Sequence, residues 1–333
     1  MKLIFLSIFF VASGLFAPFH LLGQYAPPAG KPGTTAVFKD SSSIIRWAST
    51  CSIDRGYVNI SDTTITYNGS NKTFYGSYLY GSGPADELVV SLGDYGSALM
   101  GFDIPIVNRP GPDFAIFENS FGDSFLELAF VEVSSDGVHF VRMPAVSLTQ
   151  TDHQVNTFDT IDATKINNFA GKYRQAYGTP FDLEDIKDSA GVNPNKISHI
   201  RIIDAVGCLQ DPFGTFDSQG HKVNEPWPTP FDTGGFDLDA VGVIHDQAES
   251  TGENSADSDI RVFPNPVVDA ATFSSASFRS FQLTITDPAG KFILTHDCRG
   301  KTMIDLTSFH PGIYIATFTF QDETSVAKKI IKY

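Results

Sequence analysis

Residues 108–144 read NRPGPDFAIFENSFGDSFLELAFVEVSSDGVHFVRMP, and the second half of this stretch decides the fold. In ELAFVEVSSDGVHFVRM two strand-like runs meet at Ser135-Asp136-Gly137. Asp-Gly between alternating apolar residues is the strongest short-range signal for a hairpin, because both residues tolerate the positive φ of a tight turn. The run DFAIFENSF before it is a further short, aromatic-rich strand, closed off upstream by Arg109-Pro110-Gly111-Pro112. The centre of the chain is therefore an antiparallel β-domain.

Working outward, the pattern repeats. Between Gly56 and Met100 short β-rich pieces (YVNI, TTITY, ELVVSL, SALMGF) alternate with Gly, Ser and Asn turns. Strands recurring about every ten residues predict an all-β domain, a jelly-roll-like β-sandwich. Downstream, ISHIRIIDAV (197–206) and GGFDLDAVGVI (234–244) read as buried strands. Two helices are expected. One spans Ser41–Ser49 with a serine N-cap. The other spans Thr179–Lys187, with Thr179 as cap, Pro180 in the first turn and Gly191 past the end. Residues 148–168 turn polar and predict a surface loop, while 208–233 have no period but hold Phe213, Phe216, Trp227 and Phe231, which argues for a packed loop.

A chain of 333 residues has room for two domains. Its 29 Phe and 11 Tyr favour β-structure. Net charge is 23 − 38 = −15, which repels phosphate and argues against nucleic acid as a partner. The same charge suits a bound cation or simple solubility. Cys51, Cys208 and Cys298 lack zinc-site spacing; an oxidising compartment would allow Cys51 to pair with Cys208 and leave Cys298 free.

At the N-terminus, Met1-Lys2 and LIFLSIFFVASGLFA read as a signal peptide over 1–23, directing the chain to the periplasm and then the cell surface or medium. No later run reaches the ~20 apolar residues that span a bilayer. The main domain occupies 24–246. Residues 247–259 carry acids but no Lys or Arg and form a linker. Residues 260–333 restart as short strands with Pro-Ala-Gly and Pro-Gly turns, a small Ig-like β-sandwich.

That last domain carries signposts in order: Val262-Phe263-Pro264-Asn265-Pro266, a turn from Asp287 to Lys291 through Gly290, Gly312-Ile313-Tyr314, and a closing Lys328-Lys329-Ile330-Ile331-Lys332. It resembles the type A C-terminal sorting domain of the type IX secretion system of Bacteroidetes. The resemblance implies recognition by that machinery at the outer membrane, and removal of the domain with attachment or release of the rest. Any activity then lies in about 25–247. There, GPDFAIFENSF, AFVEVSSDGVHF, AGKYRQAYGTPFDL and GGFDLDAVGVI resemble a family of bacterial cell-surface β-sandwich proteins of unassigned activity.

Three sets of side chains are candidates for chemistry. In Phe236-Asp237-Leu238-Asp239-Ala240, period two puts both aspartates on one face with Cα atoms about 6.6 Å apart. Joined by Glu118, Asn119, Asp113 and Asp204, they would offer the oxygen ligands that Ca²⁺ requires; the competing reading is that the aspartates face water or cap turns. Trp227, Phe231, Tyr173, Tyr177 and Lys172 would form a stacking platform for a sugar, with Arg174 or Asp182 reading hydroxyls; the competing reading is that these rings peg the loops down. Glu118, Glu127 and Glu132 would supply a glycosidase pair, and Lys172-Tyr173-Arg174 a lyase site. No GxSxG, HExxH, P-loop or GxGxxG is present, so no catalytic residue is assigned. The leading expectation is a non-catalytic binding module for a glycan or envelope ligand. A carbohydrate-active enzyme and a purely structural surface protein are the alternatives.

Overall fold

The computed structural model describes residues 25–247, 260–275, 279–321 and 325–333. The signal-peptide reading and nearly all of the acidic linker lie outside the described residues. The main domain holds β1 (Val37–Phe38), β2 (Arg46–Trp47), β3 (Thr50–Asp54), β4 (Val90–Ser91), β5 (Ser97–Ile106), β6 (Phe114–Glu118), β7 (Ala129–Ser134), β8 (Val141–Arg142), β9 (Val146–Ser147), β10 (Ile166–Asn167), β11 (Tyr177–Phe181), β12 (Ile197–Asp204) and β13 (Asp237–Val243). One antiparallel sheet runs β3-β5-β12-β7-β8; the other runs β1-β11-β6-β13-β2, with β4 also paired to β13.

Alternation builds the space between the sheets. Met100, Ile200, Ile202, Val131 and Val133 come from the first sheet; Phe114, Ile116, Phe181, Leu238, Val241 and Val243 from the second. The Phe114 and Phe181 rings stack 5.2 Å apart. Fully burying side chains of this size stabilises the fold by about 1.5–3 kcal/mol each. The expected hairpin is present. Glu132 faces Arg142 and Val133 faces Val141 across β7 and β8. Gly137 has φ +76°, and the Asp136 carboxylate accepts from the Val138 and His139 amides, so the turn is longer than two residues.

Neither expected helix forms. Within 41–49, Ile45 and Ala48 donate to the carbonyls of Val243 and Val241, so the segment becomes an edge of the second sheet. A helix of nine residues is marginal by itself, and the stiff Ile44-Ile45 pair suits an extended chain, so pairing prevails over the serine cap. In 179–187 the first residues are strand β11, with Pro180 opposite Ala115. Strand β1 reaches only Tyr177 and Gly178, so the missing N–H of Pro180 interrupts no ladder. Only a single 3₁₀ turn forms, over Leu183–Ile186, and its cap is Asp182 rather than Thr179.

Residues 148–168 also differ from the expected surface loop. Strand β10 pairs with β9, and Val155, Ile161 and Ile166 enter a second core with Leu126, Leu128, Phe130, Phe169 and Val223. All three cysteines are buried free thiols, so Cys51 and Cys208 are not joined.

The C-terminal domain contains β14 (Ile260–Phe263), β15 (Ala270–Ser275), β16 (Ser280–Thr286), β17 (Phe292–Arg299), β18 (Lys301–Asp305), β19 (Gly312–Phe320) and β20 (Ser325–Lys332). They form sheets β14-β15-β18 and β17-β16-β19-β20 around Phe273, Phe281, Leu283, Phe318 and Ile330. The signpost residues hold this domain together. The Asn265 side chain between Pro264 and Pro266 donates to the Lys329 carbonyl and accepts from the Ile331 amide at 2.6 and 2.8 Å. Gly290 turns with φ +84°, and the Tyr314 hydroxyl donates to the His310 carbonyl. Lys328 and Lys329 pair with Ala316 and Ile315 of β19, the strand that Gly312 opens. Among the described residues no helix is long and apolar enough to cross a membrane.

Candidate functional site

Strands β6 and β13 lie side by side, so the end of one and the start of the other bring acids together. Leu238 faces Glu118, which places Asp237 beside the end of β6. The chain then loops out through 119–128 and returns as β7, delivering Glu127 to the same place. Above these acids lies a cleft of about 340 Å³. Its floor includes Glu127, Asp237 and Asn119; its walls include Tyr75, Phe121, Phe125, Phe158 and Phe231. Phe158 and Phe231 stack at 6.1 Å, as do Phe121 and Phe125, and Tyr67 braces Phe231 edge-on. Phe121 is 86% exposed and Phe158 77% exposed. These large rings are held open to water at the mouth of the cleft.

Beneath the rings the carboxyls are buried. Burial pushes the Asp237 carboxyl up to about 7, against the opposing effects of the Ser91 hydroxyl that donates to it, the Arg55 charge and the Asn119 amide. Burial pushes Glu127 well above the usual carboxylate range, and the neighbouring Asp237, Glu118 and Glu225 raise it further. Glu118 is raised by burial and then by Asp237. Its Oε2 accepts from the Ser120 amide at 2.8 Å, while its buried Oε1 has no hydrogen-bond partner among the described residues. Like carboxyls buried side by side cannot all ionise, so protons remain on this group near neutrality. A carboxyl that keeps its proton both donates and accepts, which suits it to hydroxyl ligands.

Of the expected calcium set, then, Asp237, Glu118 and Asn119 are brought together, Asp204 lies near enough for Asp237 to raise its carboxyl, and Asp113 and Asp239 are held elsewhere. Asp239 is the extra residue of a β-bulge: Leu238 and Ala240 face the adjacent Glu118 and Phe117, so the two-residue alternation breaks there. Its carboxylate accepts from the Asp86 and Glu87 amides at 3.0 and 3.3 Å. Asp113 precedes β6 and so lies at the opposite end of the strand from Glu118. It accepts from the Arg109 and Leu183 amides and sits 2.8 Å from His245 Nδ1. Asp204 accepts from the Tyr95 and Phe236 amides at 3.1 and 2.8 Å. Among the described residues no three His, Cys, Asp or Glu side chains are placed to hold a metal ion.

The expected platform is also redistributed. Of its members only Phe231 lines the cleft. Tyr173 is buried with its hydroxyl 2.8 Å from Thr35 Oγ1, and the buried Lys172 ammonium donates to the Ile166 carbonyl, its pKa pulled down to about 8 by burial. Arg174 stacks on Tyr177 and pairs with Asp123. Trp227 donates to Asp94. Glu132 is held by Arg142 and Arg201 on the face of the first sheet opposite to the core residues Val131 and Val133. Phe121, Phe125, Phe158 and Tyr75 escaped the sequence reading. Their available signal was phenylalanine set in polar loops, which is hard to tell from a packing peg until the loop is folded.

Residues 261–333 match the family model described as secretion system C-terminal sorting domain. No curated protein matches the chain. Among solved structures, an immunoglobulin-like β-sandwich protein from Bacteroides vulgatus is 22% identical, with 22% of this chain and 85% of that one covered and a TM-score of 0.21. A β-glucuronidase from Faecalibacterium prausnitzii is 9% identical, with 87% and 45% covered and a TM-score of 0.20. The BSP domain of a biofilm-associated protein is 10% identical, with 88% and 53% covered and a TM-score of 0.19. The chain spans less than half the length of that β-glucuronidase.

Proposed function

With residues 261–333 a C-terminal sorting domain, and the chain therefore a type IX secretion substrate bound for the cell surface or the extracellular space, we propose that the main domain is a non-catalytic glycan-binding module. The observation that supports this is the cleft itself, where exposed Phe121 and Phe158 stand over the buried carboxyls of Glu127 and Asp237. A sugar offers C–H faces that stack on aromatic rings and hydroxyls that pair with such carboxyls; a few polar groups in a mostly apolar concavity is the usual anatomy of a ligand site.

The test is a glycan array probed with the full secreted chain, followed by titration calorimetry on the best ligand. Phe158→Ala and Phe231→Ala should each weaken binding by roughly tenfold, the order of one lost ring contact. Phe158→Ala, at an exposed position, should leave the melting temperature unchanged. Failure to bind any glycan sinks the proposal. A second reading, hydrolysis, is favoured by one observation: Glu127 and Asp237 share a cleft, and burial raises both carboxyls, as it does for the proton-bearing acid of a glycosidase. It requires turnover of an arrayed ligand that Glu127→Gln abolishes. Binding without turnover leaves the module as proposed.

A further inference from the structure

The charge in this cleft is one-sided. Asp237 on β13 is faced by Glu118 at the end of β6, by Glu127 ahead of β7, by Asp204 at the end of β12, by Asp232 on the loop before β13, and by Arg55 beyond β3, while Glu127 is faced also by Glu225. Arg55 is the one cation in that set, and its guanidinium is already engaged by the carbonyls of Tyr75, Gly76 and Ser91. Behind Asp237, the Glu118 Oε1 atom has no partner among the described residues although Glu118 is 1% exposed. The walls add rings whose electron-rich faces attract positive charge.

A neutral hexose would meet the hydroxyl-bonding capacity of these carboxyls but would give no ionised form of them a counter-charge. A protonated amine meets both the carboxyls and the rings. Building on the glycan-binding reading, we infer that the ligand is a cationic glycan, one bearing a free hexosamine amine, whose ammonium pairs with Asp237 and Glu127 between the Phe121 and Phe158 rings. The binding amine displaces the protons that these carboxyls hold when the cleft is empty, so association releases protons to solvent.

The experiment is titration calorimetry of the full chain with three β-1,4-linked disaccharides that differ only at C2: the glucosamine dimer, its N-acetylated counterpart and cellobiose. The glucosamine dimer should bind roughly tenfold or more tightly than either other sugar, the order of one ammonium contact in a desolvated aromatic site. Its affinity should fall as the pH is lowered through about 7, where Asp237 regains its proton. Repeating the titration in buffers of different ionisation heat should show proton release. Asp237→Asn and Glu127→Gln should erase the preference. Because a buried variant can misfold, Phe121→Ala on the exposed rim provides the parallel check, weakening the glucosamine dimer while the melting temperature holds. Equal affinity for the three dimers, or preference for the N-acetylated one, overturns the amine inference while glycan binding stands. No binding by these dimers or by any arrayed glycan overturns both.

Discussion

Asp237 and Asp239 are two residues apart, are both almost fully buried, and both titrate at about 7 in the folded chain against an ordinary value of 3.8. Between those values the folded state binds more protons than the unfolded one, so stability is greatest at the acid end of the window and is lost as pH rises through about 7. At about 1.4 kcal/mol per unit, each group alters stability by a few kcal/mol across that range. Asp239→Asn should therefore flatten the decline of melting temperature between the two pH values, read from thermal unfolding at a series of pH. An unchanged slope would show that Asp239 does not carry the linkage. The carboxyl positions were legible in the sequence, because Asp237, Glu118 and Asn119 sit at strand ends that a sandwich brings together. Their burial was not, since it arises from loops distant in the chain, those carrying Tyr75, Phe158 and Phe231, that line the cleft with them.

At the scale of elements, local signals lost to pairing wherever the two disagreed. The serine cap at 41 and the Thr-Pro start at 179 are sound helix signals, yet both segments lie beside strands with open edges and were drawn into sheets. The Asp-Gly hairpin kept its reading because local turn and long-range pairing agree there. The bulge at Asp239 was invisible, since one extra residue in β13 has no signature in a run that alternates cleanly. A glycine holds Glu127 in place by similarly long-range means. Gly171 has φ +80°, and a Cβ there would lie 1.8 Å from the Glu127 carbonyl oxygen. Gly171→Ala must shift backbone, so it should cost more than about 2 kcal/mol and weaken ligand binding together with stability. Gly122, with open space around it, is the control: Gly122→Ala should change stability by less than about 1 kcal/mol. Chemical denaturation of both variants checks this, and equal costs would refute the role given to Gly171.

For the whole molecule, two cations of the sorting domain, Lys301 and Arg261, reach the main domain among the described residues. The Lys301 ammonium reaches the carbonyls of Ser82 and Tyr80, and Arg261 pairs with Asp103. Burial draws the Lys301 pKa down, opposed by the charges of Asp86 and Asp239. Such a contact joins residues more than two hundred positions apart, which is why the sequence revealed the sorting domain by its local signposts and gave no hint of its seat. Lys301→Met keeps the aliphatic stem and removes the ammonium, leaving the Ser82 carbonyl without its charged donor. A hydrogen bond of that kind contributes about 1.5–3 kcal/mol, and the variant should lose stability on that order. Hydrogen exchange over 82–87 should quicken as the seat loosens. The same substitution removes a charge that lowers the Asp239 pKa, so Asp239 should titrate at a higher pH than in the parent chain. The pH-linked decline in stability should move upward in pH with it. Thermal unfolding of the parent and of Lys301→Met across the same pH series reads both effects. Faster exchange with the titration unmoved would place the ammonium on the carbonyls alone, and no change in either would show that the two domains do not dock through Lys301.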